Sequence, residues 1–152
     1  MNSKYQIVDR PAQPTVLIRT RSSVRNLPAT LGDAYGKIMA YLGEKGVYPS
    51  YAGFVGYFNM DMEDLELEIG FPVNQPVEGS GEILFSEIPA CKAATTVHHG
   101  PYDELSTAYD ALNKLIEEQG ETASGIAYEF YLNDPREVAP EELQTEIVLP
   151  LT

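Results

Sequence analysis

Hydrophobic and polar positions along the chain change period in a fixed order, and that order occurs twice. Tyr5-Gln-Ile-Val is followed, beyond Pro14, by the β-branched run Thr15-Val-Leu-Ile-Arg-Thr-Arg, which predicts an extended strand bent into an edge by Pro11 and Pro14. After a loop at 22–26, Leu31, Ala34, Tyr35, Ile38, Met39 and Leu42 fall at helical spacing, and Gly46 marks the stop. Residues 52–59 and 65–73 then read as an antiparallel pair, with the alternation plainest in Leu65-Glu-Leu-Glu-Ile. Turn formers at 74–81 separate this half from the next. The second half repeats the order: a strand over 83–97, a helix over 102–119 stopped by Gly120, and strands over 125–133 and 143–151. Its helix carries Leu105, Ala108, Tyr109, Leu112, Leu115 and Ile116 on one face, with Asp103 and Glu104 in the first turn, where the helix dipole favours acids.

The two halves also align residue by residue. From Leu31 to Asn59 the sequence matches Leu105 to Asn133 at a constant offset of 74, with 8 of 29 positions identical. Composition alone would give about two. The identities include Tyr35/Tyr109, Gly46/Gly120, Ser50/Ser124, Tyr57/Tyr131 and Asn59/Asn133. With small shifts the match extends outward, Pro14-Thr-Val-Leu-Ile aligning with Pro89-Ala-Cys-Lys-Ala and Glu68-Ile-Gly-Phe-Pro-Val with Glu146-Ile-Val-Leu-Pro-Leu. The expected fold is α+β: a duplicated βαββ unit with pseudo-twofold symmetry, its two helices packed on a twisted, mostly antiparallel sheet. A repeat of this size is small for an independent core. Residues 1–152 are therefore read as one domain, with repeats at about 4–73 and 82–151, a linker at 74–81, and a cleft between the halves.

Composition narrows the function. A net charge of -13 and a pI near 4.4 argue against direct nucleic-acid binding, which is built on clustered Lys and Arg. They would favour cationic small molecules or a basic protein surface, although acidity also serves solubility alone. The one cysteine, Cys91, demands no oxidising compartment, and no signal-like or membrane-length apolar run occurs. A cytoplasmic protein that meets no membrane is expected.

The halves differ most informatively on their third strands. Alternation sends Ala127, Glu129, Tyr131 and Asn133 one way, and Gly53, Val55, Tyr57 and Asn59 the corresponding way in the first half. Glu129 therefore stands where the first half keeps Val55. A carboxylate flanked by tyrosines suits a cation with aromatic bulk; if desolvated, it also suits general acid or base work. Alternation is equally compatible with Glu129 facing water or pairing with a Lys or Arg. Tyr35 and Tyr109 lie on the apolar helical stripe, where a tyrosine serves the core as readily as a ligand.

Other motifs add little. His98 and His99 are adjacent on an extended segment and so point to opposite faces, without metal-ligand spacing nearby, so no metal site is expected. No Gly-rich phosphate loop or nucleophile motif is present, and no cofactor is expected. Gly32, Gly36 and Gly43 interrupt the first helix where the second has Ser106, Asp110 and Glu117, each costing roughly 1 kcal/mol relative to alanine. A softer first helix follows, suited either to a lid or to close backbone packing on the sheet.

The doubled plan, the segment His99-Gly-Pro-Tyr-Asp-Glu-Leu, the strand Tyr128-Glu-Phe-Tyr-Leu-Asn-Asp-Pro and the closing Glu146-Ile-Val-Leu-Pro-Leu together resemble the GyrI-like effector-binding domain family over nearly the whole chain. Members of that family sense ligands within multidrug-responsive transcription regulators, protect DNA gyrase as stand-alone proteins, or hydrolyse the cyclopropane of cyclopropanoid genotoxins. The resemblance implies a ligand site at Glu129, with Tyr57 and Tyr131 next and Tyr35 and Tyr109 after them. It also implies Glu129 as the catalytic acid or base should the chain be an enzyme. With no helix-turn-helix segment before Tyr5, the expected role is a stand-alone binder of hydrophobic, aromatic or cationic compounds. DNA gyrase or a separate regulator is the candidate protein partner.

Overall fold

The computed structural model describes residues 5–152. In chain order the elements are β1 (Gln6–Arg10), β2 (Gln13–Ser22), α1 (Leu27–Lys45), β3 (Phe54–Tyr57), β4 (Leu65–Pro72), β5 (Ile83–Ile88), β6 (Cys91–His99), α2 (Leu105–Glu118), β7 (Ala127–Tyr131) and β8 (Gln144–Pro150). Single 3-10 turns occupy Tyr102–Glu104 and Pro140–Glu142. The class is α+β. Two compact units form: Ala12–Pro89, and the stretch up to Pro11 together with Ala90–Thr152.

The first unit, Ala12–Pro89, is an antiparallel sheet in the order β5-β2-β4-β3 with α1 against β2 and β4. Ala34, Ile38 and Leu42 are the buried stripe of α1, as their spacing requires. Ile18, Ile69 and Val55 lie abreast across β2, β4 and β3. On the opposite face the sheet closes tightly at Gly70, where an added Cβ would come 2.2 Å from the Val16 carbonyl oxygen.

The second unit has the order β1-β6-β8-β7, with α2 against β6. Ala108, Leu112 and Ile116 of α2 bury against Ala94, Ile147 and Leu149. Each of these residues is drawn in by the transfer of apolar area from water, worth about 25 cal/mol per Å². Thr96, Ile147 and Glu129 lie abreast across β6, β8 and β7, and His98, Thr145 and Tyr131 form the next row on the same face.

Several repeat identities now have structural explanations. Gly46 and Gly120 adopt φ of 68° and 69° just past α1 and α2. Their N–H groups bond Gly43 and Glu117 carbonyls while Val47 and Glu121 bond back to Leu42 and Ile116, so both helices end in the same left-handed cap. Asn59 and Asn133 brace the loops of their hairpins. Asn59 donates to the Asp64 carbonyl and accepts from Glu66 N–H; Asn133 does the same with Glu142 and Gln144. These identities preserve backbone shape rather than chemistry.

Three expectations need correction. The single strand expected over 83–97 is two strands, since β5 pairs with β2 whereas β6 pairs with β1 and β8. The helix expected from residue 102 starts as a 3-10 turn, with Pro101 held extended before it, and becomes α2 only at Leu105. Finally, the first strands of the repeats correspond at an offset of 78, Ile18 with Thr96, not at the 75 suggested by aligning Pro14 with Pro89. An error of three residues in a strand exchanges its faces. Close packing at Gly32, Gly36 and Gly43 is also excluded: an added Cβ at any of them meets nothing within 4 Å.

Candidate functional site

Glu129 sits at the centre of β7, opposite Ile147 and on the face that α2 covers. It is 8% exposed. Two phenols hold it: Tyr109, reaching down from α2, donates to Oε2, and Tyr131, two residues along β7, donates to Oε1 at 2.8 Å. Tyr102, on the 3-10 turn before α2, sets its ring edge against that of Tyr131 with centroids 5.8 Å apart. The carboxylate is thus walled by three tyrosines from three consecutive elements.

No Lys, Arg or His pairs with Glu129 among the described residues. Arg10, on β1, lies instead on the opposite face of the sheet, 3.3 Å from Glu146 and over the Phe130 ring at 5.8 Å. Burial pushes the Glu129 carboxyl above its ordinary range, and the Tyr109 and Tyr131 hydrogen bonds only partly oppose this. The Tyr102 hydroxyl is raised as well, first by burial and then by the charges of Asp134 and Glu129. Such a site is anionic only at some cost, and a cation or a proton relieves that cost.

The sequence-read residues divide between the units. Glu129, Tyr109 and Tyr131 come together in the second. Tyr35 and Tyr57 belong to the first, where the Tyr35 hydroxyl donates to the Phe54 carbonyl at 2.9 Å and its ring lies 5.2 Å from that of Phe71. Tyr57 is half-buried opposite Leu67. Tyr102 was not singled out by sequence reasoning, although it follows directly on the distinctive His-His-Gly-Pro segment. Among the described residues no three His, Cys, Asp or Glu side chains are grouped to hold a metal, and no helix is long and apolar enough to cross a membrane.

The first unit also carries a depression of about 330 Å³, lined by Arg19, Arg21, Phe58, Glu66 and Glu68 among others. Its charges are already paired, Arg19 with Glu68 at 2.9 Å, and Arg21 with Glu66 at 3.8 Å and with neighbouring Asp64 at 2.9 Å. It therefore has little unmet electrostatic demand, in contrast to Glu129.

Among curated proteins, none matches the sequence. Solved structures share the fold. EcmrR, in a complex with DNA, superposes with a TM-score of 0.83 at 23% identity, over 98% of this chain and 57% of EcmrR, so the chain spans little more than half of that protein. A hydrolase from Listeria innocua gives 0.68 at 15% identity over 98% of this chain and 92% of its own. SAV2435, solved bound to tetraphenylphosphonium, gives 0.64 at 11% identity over 98% and 94%. The family description matching residues 3–152 is the GyrI-like small molecule binding domain, and this chain belongs to that family.

Proposed function

We propose that the protein captures hydrophobic, aromatic or cationic small molecules in the cytoplasm, for drug or toxin sensing or resistance, with Glu129 as the charge partner and Tyr102, Tyr109 and Tyr131 as the walls. One observation carries this reading: a nearly buried carboxylate that, among the described residues, is bonded to neutral phenols and paired with no cation, Arg10 being turned to the other face of the sheet. A buried ionised group without a partner is costly, and a bound cation supplies the partner while ring faces supply dispersion and cation–π attraction. One charge contact and stacked rings demand little exact shape, so broad selectivity follows. Tyr57 and Tyr35, in the first unit, are assigned as ligand-contacting residues of lower priority, on the strength of the repeat. The tetraphenylphosphonium in SAV2435 supports the choice of a lipophilic cation as probe. Isothermal titration with tetraphenylphosphonium tests the reading: saturable binding that Glu129→Gln weakens at least tenfold is expected, and no binding refutes it.

A second reading draws on the raised proton affinity of Glu129. A carboxyl that stays protonated can donate its proton to the carbon of a strained cyclopropane as a ring bond breaks. Water then adds to the opposite carbon and returns a proton to the carboxylate, giving net hydrolysis. Incubation with a cyclopropanoid genotoxin distinguishes the readings: ring-opened product that Glu129→Gln abolishes makes the protein an enzyme.

A further inference from the structure

Beside Glu129 the same sheet face carries three polar groups that no described residue satisfies. Thr96 and Thr145 are 3% and 0% exposed, and their hydroxyls, with His98 Nε2, are buried without a hydrogen-bond partner among the described residues. Register makes them contiguous. Thr96 and His98 are two apart on β6, His98 faces Thr145 on β8, and Thr145 faces Tyr131 on β7, whose hydroxyl holds Glu129. Directly opposed side chains have Cβ atoms about 4.5–5.5 Å apart, so these groups form one polar track leading to the carboxylate. His98 lies against Gly100, two residues before Tyr102: a Cβ on Gly100 would lie 3.5 Å from its Nε2. The corresponding position in the first unit for Thr96 is Ile18, buried and apolar.

Buried hydroxyls are ordinarily bonded, and an unmade bond leaves their desolvation uncompensated. We propose that Thr96, His98 and Thr145 form a polar subsite that binds a hydroxyl or carbonyl oxygen of the captured compound. This rests on the reading of Glu129 as a ligand site and narrows it: preferred ligands are lipophilic cations that also carry a hydrogen-bonding oxygen. Threonine hydroxyls donate and accept, and imidazole does either according to tautomer, so the subsite accommodates both kinds of oxygen.

Calorimetric titration of the full chain with tetraphenylphosphonium and with (4-hydroxyphenyl)triphenylphosphonium, which differ by one hydroxyl, tests the proposal. The hydroxylated cation should bind about tenfold more tightly, the order of one or two buried hydrogen bonds. The double variant Thr96→Val, Thr145→Val should erase that advantage while leaving tetraphenylphosphonium affinity within about twofold. Equal affinities in the native protein, or an advantage that survives the double variant, overturn the subsite. Melting of the unliganded double variant provides a second readout. Valine keeps the shape of threonine, so Tm should hold or rise; a clear fall would mean that the hydroxyls are already bonded within the fold, and would also overturn the proposal. If neither cation binds, the Glu129 reading fails and the subsite with it; if both bind alike through Glu129, only the subsite fails.

Discussion

The two units answer one structural question in different ways: what a tyrosine on the helix should bond when its hydroxyl reaches the third strand. In the first, Tyr35 donates to the backbone carbonyl of Phe54, because the facing side chain, Val55, has nothing to accept with. In the second, Tyr109 donates to Glu129, and Tyr131 joins it. The framework around both is shared, down to the glycine caps and the asparagine braces. A chain holding two copies of one scaffold can keep one for packing and give the other a buried acid, and the acid is then tolerated because phenols already stand beside it.

The harshest way to break this comparison is to give the packing copy the acid. Val55→Glu places a carboxyl at a fully buried position where the Tyr35 hydroxyl is already bonded to the Phe54 carbonyl, and should cost about 3–5 kcal/mol in denaturant unfolding. Glu129→Gln tests the other copy. Loss of the charge should reduce lipophilic-cation affinity by about 2 kcal/mol, read by calorimetry, with little change in fold. The same pair of proteins sharpens the point through pH. Because burial raises the native carboxyl above its unfolded value of about 4.3, the proton is held more tightly in the folded state. The associated stability is fully present below that unfolded value and is lost as pH rises through the raised native one. Native protein should therefore lose Tm relative to Glu129→Gln across that window, while its affinity for the cation rises, since the ligand needs the ionised form. Parallel trends in stability and affinity would contradict the assignment. Tyr109→Phe and Tyr131→Phe remove one hydrogen bond each and should change cation affinity by about 1 kcal/mol, in a direction that reports whether the phenol assists or competes with the ligand. Smallest, Gly32→Ala or Gly36→Ala should stabilise α1 by about 0.5–1 kcal/mol in thermal unfolding, because both sites open onto empty space.

Much of this difference was legible in the sequence because the repeat is ungapped from the helix through the third strand. An offset of 74 sets Glu129 on Val55 and Tyr109 on Tyr35, and alternation gives the shared face of Glu129 and Tyr131. Thr96, His98 and Thr145 were hidden for a different reason. Proline pairing suggested the wrong register for the first strand, and an odd shift sends each side chain to the wrong face. Nor does a threonine in a β-branched run announce whether its hydroxyl will find a partner. Tyr102 escaped because a 3-10 turn carries no periodicity by which to tell its inward face.

The order of synthesis is unequal for the two copies. Residues 12–89 are contiguous, so that unit can close as soon as it leaves the ribosome, whereas β1 must await β6, whose first residue is Cys91. At roughly 5–20 residues per second that delay is on the order of ten seconds, during which β1 has no ladder to join. The acid-bearing copy is thus completed last.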